Sequence, residues 1–118
     1  MIHKLSKHLI ICIDFDGTIV EHSYPEIGDP LPQAIEVIKE IQQAGHKIIL
    51  WTCREGNTLQ QAVDFCRKHD IEFDGVNEAI NDFREEGLKR KPFADYYIDD
   101  RNINGFPGWD VVREIVLN

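Results

Sequence analysis

Two runs, HLIICI at 8–13 and HKIILW at 46–51, are dominated by apolar and β-branched residues, and DYYI repeats the theme at 95–98. Such runs are the pattern of strands buried on both faces. Between them the period changes. Ala34, Val37, Ile38, Ile41 and Ala44 fall at helical spacing, with Pro32 near the start and Gly45 just past the end. A second stripe, Leu59, Ala62, Val63 and Cys66, predicts a helix capped by Asn57. A short strand is expected around 71–76, a weaker helix over 77–88, a strand at 95–99 and a closing helix at 108–117. Strand alternating with helix implies crossover connections and a mostly parallel sheet. The expectation is one α/β domain over 1–118, a three-layer α/β/α Rossmann-like fold. A chain of 118 residues suits a single core, and neither repeat nor linker interrupts it.

In open sheets of this kind ligands bind beyond the carboxyl ends of the strands, where strand order reverses. Asp14, Thr52 and the pair Asp99–Asp100 each end an expected strand, so three strands deliver polar groups to one edge. Asp14 and Asp16 follow a buried run directly, and desolvated like charges repel. Asp-Gly alone would read as a turn. With Asp99–Asp100 brought to the same edge, however, up to four carboxylates converge, and a cation must balance them. Oxygen donors with no His or Cys spacing favour Mg²⁺. An EF-hand loop fails: counted from Asp14, the glycine comes at the fourth place and Pro25 stands where the acidic twelfth ligand belongs. Thr52, with the N–H groups of Cys53 and Arg54, could face phosphate oxygens. Of Lys89, Arg90 and Lys91, a solvated run at first sight, Lys91 is favoured to turn inward because Pro92 pins it nearest the strand; Lys89 is the alternative.

Composition narrows the field. The net charge of -8 argues against broad binding to nucleic acid or to anionic membrane. No apolar run approaches the roughly 20 residues of a membrane span. The start, MIHKLSKHLIICIDF, is basic then apolar like a signal peptide, but only about seven apolar residues precede Asp14, and a first strand is the better reading. Cys12, Cys53 and Cys66 form neither an even set nor a CxxC, which fits a reducing cytoplasm.

Taken together, IICIDFDGT, KIILWT, the lysine before the last strand and YYIDD resemble, in order, the four motifs of the haloacid dehalogenase superfamily of phosphohydrolases. The resemblance runs from about residue 8 to 105 and is strongest at DFDGT. It implies a phosphatase acting through an aspartyl-phosphate on a phosphomonoester. Asp14 would be the nucleophile, and Asp16 the acid and base, with its carbonyl on Mg²⁺. Asp100 would ligate the metal directly, with Asp99 in support. Thr52 and Lys91 would hold phosphoryl oxygens, with help from Gly17 and Thr18. Asp16 favours phosphoryl transfer, since members that cleave carbon–halogen bonds lack it. Asn104 departs from the pattern, standing where many members carry a further acid; Asp99 would compensate. Neither place where members insert a cap domain has room for one, so the resemblance is to a small capless member. Its site would be open unless a flap hairpin at 20–29 or another subunit covers it, with Glu21, His22, Tyr24, Arg54 and Glu55 near the mouth.

Rivals differ in detail. A receiver-like, non-catalytic phosphate-binding module would carry an acidic pair after its first strand and its acceptor Asp after the third, then the threonine and the lysine, whereas here the second acidic pair comes last. A cysteine phosphatase needs an arginine six residues past a cysteine, which is absent here. A phosphotransferase or a metal-dependent nuclease could use the same carboxylates, though the acidic surface disfavours nucleic acid. The expected partner is a small phosphorylated substrate or a phosphorylated macromolecule, with homo-oligomerisation left open.

Overall fold

The computed structural model describes residues 8–78 and 91–118. Along the chain these form β1 (Ile10–Ile13), α1 (Ala34–Gln43), β2 (Lys47–Leu50), α2 (Gly56–Lys68), β3 (Gly75–Val76), β4 (Tyr96–Ile98) and α3 (Trp109–Leu117). The strands make one parallel sheet in the order β3-β2-β1-β4. Ile11 stands beside Ile48 on one side and Tyr96 on the other, and Ile13 beside Leu50 and Ile98. The plan is a Rossmann-like α/β fold, consistent with three layers.

Alternation along the strands divides the apolar side chains between the two faces. Ile11, Ile13, Ile48 and Leu50 join the larger cluster, which also takes Val37, Ile38 and Ile41 of α1, Ala62 and Cys66 of α2, and Trp109 and Val112 of α3. Cys12 and Ile49 point the other way and meet Ala94, with Ile10 and Trp51 beside them. Side chains cap the strand entrances. Asp95 accepts from the Ile10 N–H at 2.8 Å, Asp74 from Ile48 at 2.9 Å, and His46 Nδ1 from Leu9 at 3.0 Å. These bonds occupy backbone donors that the short ladders would otherwise leave open. Between α1 and α3, Arg113 grips Glu40 through two bonds of 2.8 and 2.9 Å. That pair is solvated, so it adds little to stability.

Several expectations are corrected. Helix α2 begins earlier than the Asn57 cap implied: Glu55 is the N-cap, without a side-chain bond, and Asn57 lies inside the first turn. The strand expected over 71–76 shortens to Gly75–Val76. The helix expected over 77–88 falls almost entirely on 79–90, outside the described residues, as do Lys89 and Arg90. The flap hairpin expected at 20–29 is reduced to a loop closed by one antiparallel bridge, Val20 beside Pro30, with Glu21 N–H to Asp29 O and Leu31 N–H to Ile19 O, both 2.8 Å, on either side of it. Among the described residues no helix is long and apolar enough to cross a membrane.

The connections β1–β2–β3 step outward in one direction, and β4 lies on the opposite side of β1. Strand order therefore reverses between β1 and β4, and the crevice this creates opens at their carboxyl ends.

Candidate functional site

Asp14 leaves β1 and Asp99–Asp100 leave β4, one on each side of that crevice. The Asp14 N–H donates to Ile98 O at 3.0 Å, which locks the two exits together. One carboxylate oxygen from each of Asp14, Asp99 and Asp100 lies within 4.8 Å of the others, close enough for a single cation to bridge them. The oxygens are not equivalent. Asp99 Oδ1 accepts the Arg101 N–H at 2.9 Å and so closes its own turn. Asp100 Oδ1 is buried and has no hydrogen-bond partner. A buried carboxylate oxygen left in that state is costly unless something positive meets it. Burial and the neighbouring Asp99, Asp100 and Asp16 charges push Asp14 up to about 7, although the Phe15 N–H opposes the shift.

Gly17 brings the two halves into contact. Its φ is +83, and a Cβ there would run into the Asp100 carboxylate. Glycine is therefore required for both conformation and space. Gly17→Ala is expected to displace Asp100, weakening divalent-cation binding about tenfold or more and lowering stability by about 1–2 kcal/mol. Isothermal titration with Mg²⁺ and thermal unfolding measure the two effects.

The expected phosphate cradle is only partly present. The Gly17 N–H donates to Val20 O at 2.8 Å, and the Thr18 N–H to Phe15 O at 3.2 Å. Both are spent inside the turn. The Thr18 hydroxyl is buried without a partner, and its carbonyl accepts the Trp109 indole N–H at 2.7 Å. Thr52 follows β2, beside β1, and its own N–H is held by the Asn77 side chain at 2.8 Å. Its hydroxyl accepts the Arg54 N–H at 3.2 Å, which removes that N–H from the cradle. Cys53 is exposed. Lys91 lines the same pocket as Asp14, Asp99, Trp51 and Tyr97, with its ammonium 4.2 Å from the centre of the Tyr97 ring. The buried Cys12 thiol in that pocket is pushed up to about 11 by desolvation, so it is no nucleophile at neutral pH.

Asp16 and Arg54 depart furthest from expectation. Asp16 is not in the three-carboxylate group. Arg54 Nε and Nη2 donate to its two oxygens, each at 2.8 Å. The same guanidinium reaches Pro25 O at 3.2 Å, Glu26 O at 2.8 Å and Thr58 O at 3.3 Å. Its carbon lies 5.1 Å from the Phe15 ring centre and 5.0 Å from that of Tyr24. The Arg54 side chain is 1% exposed, so it is a buried structural cation rather than an open phosphate ligand. Sequence reasoning missed this pairing because residues 16 and 54 carry no shared spacing. It also missed Asn77, whose φ of 54 is a conformation asparagine tolerates, and which aims its side chain at Thr52.

No family model matches the chain, and no curated protein does. Among solved structures, the conserved protein from Bacteroides thetaiotaomicron is similar over 94% of this chain and 91% of its own, at 43% sequence identity and a TM-score of 0.86. Likeness at that identity and coverage extends beyond a shared fold to shared descent: the chain belongs to the same family as that conserved protein of Bacteroides thetaiotaomicron.

Proposed function

We propose that the protein is a Mg²⁺-dependent phosphohydrolase that cleaves a phosphomonoester through an aspartyl-phosphate on Asp14. The observation that carries this reading is the buried, unpartnered Asp100 Oδ1 beside two further carboxylates at the strand-order reversal. That donor set is all oxygen and anionic, which suits a hard divalent cation. Asp14, Asp100 and the free oxygen of Asp99 would hold it. When bound, it would supply positive charge that keeps Asp14 ionised and offsets the negative charge of phosphoryl oxygens.

The chain's own groups do the rest. Asp14 Oδ attacks phosphorus as the bond to the leaving oxygen breaks, and water later cleaves the acyl-phosphate. Lys91, in the Asp14 pocket, and the Thr52 hydroxyl orient the non-bridging oxygens. Asp16, two residues from the nucleophile, is the group suited to move the proton between leaving oxygen and water.

The test is release of inorganic phosphate from p-nitrophenyl phosphate with Mg²⁺ present. Multiple turnovers are expected, falling by about 100-fold or more in excess chelator. Undiminished release in chelator would contradict the reading. The Arg54 grip on Asp16 favours one second reading, a receiver-like module that accepts phosphate and keeps it. Release that stops at one equivalent per chain would select that alternative.

A further inference from the structure

Arg54 uses every N–H that a guanidinium owns. Two serve Asp16, two serve the carbonyls of Pro25 and Glu26, and one serves Thr58 O in the first turn of α2. The loop that carries Pro25 and Glu26 is closed at its neck by the Glu21–Asp29 and Leu31–Ile19 bonds. Its middle meets the rest of the protein through Arg54, with two carbonyls on the guanidinium and the Tyr24 ring over it, and through Ile27, which packs against the core. Asp16 is held by the same group, outside the three carboxylates that converge. A guanidinium this buried cannot give up its carboxylate while all else stays fixed, because the remaining charge would be uncompensated.

On the reading of the site as a phosphohydrolase, we propose that Arg54 is a positioning residue that parks Asp16 outside the carboxylate cluster and ties it to the loop at 21–29, so that loop and carboxylate move together when phosphoryl oxygens enter. His22 of the loop lies beside Gly17, which abuts Asp100, and Thr58 O is the anchor on α2. Displacing the loop draws the Pro25 and Glu26 carbonyls off Arg54, the guanidinium shifts toward the departing loop, and Asp16 gains freedom to turn toward Asp14. Arg54 itself touches no substrate; it sets where Asp16 stands.

The wild-type protein, labelled with ¹⁵N, tests this without a substitution. With Mg²⁺ alone, the Arg54 Nε–H signal is expected to be protected from exchange. With Mg²⁺ and beryllium fluoride, a phosphoryl mimic, it is expected to shift and to exchange about tenfold faster or more, as the closed pair opens. The Glu26 amide should shift with it. An ¹⁹F signal from bound beryllium fluoride reports the complex independently. A bound mimic with an unmoved, still protected Arg54 signal overturns the positioning role alone. Absence of any bound mimic overturns the reading of the site as well. Kinetics give a second readout. Arg54→Gln is expected to lower kcat about tenfold or more while changing KM and Mg²⁺ affinity less than about threefold, with Arg54→Lys recovering part of kcat. Equal losses in kcat and Mg²⁺ affinity, with no recovery by lysine, would mark Arg54 as merely structural.

Discussion

Asp14→Asn is expected to abolish phosphate release, by about 10⁴-fold or more, because an amide cannot form the acyl-phosphate bond. The same variant is expected to be more stable than the wild type when no divalent cation is present. Burial, and then the charges of Asp99, Asp100 and Asp16, raise Asp14 from 3.8 to about 7 in the folded protein. The folded state thus prefers the protonated acid. Its contribution to stability is fully present below about pH 4 and is lost as pH rises through 7. Asparagine is neutral at every pH and escapes that loss. The advantage of the variant should therefore be near zero at pH 4 and largest above pH 7. The full shift would correspond to about 4 kcal/mol, and partial solvation of the half-buried side chain reduces this to about 1–2 kcal/mol. Thermal unfolding from pH 4 to 8 in chelator measures the effect; a constant offset between the two proteins would contradict this account.

Asp100→Ala and Asp16→Ala are expected to differ in Mg²⁺ affinity and to act in opposite directions on stability. The first removes one of the three converging carboxylates, with its buried unpartnered oxygen, and should weaken Mg²⁺ binding about 100-fold, while easing repulsion in the metal-free protein. The second leaves the three converging carboxylates in place, so Mg²⁺ affinity should stay within about threefold. It also strips the carboxylate from a guanidinium that is 1% exposed, which should cost about 3 kcal/mol of stability. Calorimetric titration of Mg²⁺ and chemical denaturation of both variants separate the two. The reverse ranking in Mg²⁺ affinity would show that Asp16, not Asp100, is the ligand.

The fold was legible where a single physical rule governs many residues. Ile10–Ile13 and Lys47–Leu50 are strands because nothing but burial on both faces suits them, and α1 follows from its apolar stripe with Gly45 beyond it. The approach of Asp14 to Asp99 and Asp100 followed from parallel strands that share an edge. Boundaries set by one local bond were not legible, as at the start of α2 or the two-residue β3. Side-chain destinations were harder still. Asp16 sits in the same turn as Asp14, yet a cation 38 positions away draws it out of the group. The Arg54 N–H, expected on phosphate, instead meets the hydroxyl of Thr52. Such choices depend on which long-range partner arrives, and pattern along the chain carries no record of that.

The joint between β1 and β4 has a consequence for how the protein comes into being. Asp14 is bonded to Ile98, and Gly17 abuts Asp100, so the first half of the acidic centre is completed by residues made much later. During synthesis the early strands can gather with α1 and α2 while the DFDGT turn still lacks its opposite wall. Closing so long a stretch of chain is a slow, entropically expensive event. Until β4 docks, the nascent polypeptide presents Asp14 and Gly17 without the two carboxylates that face them in the finished fold.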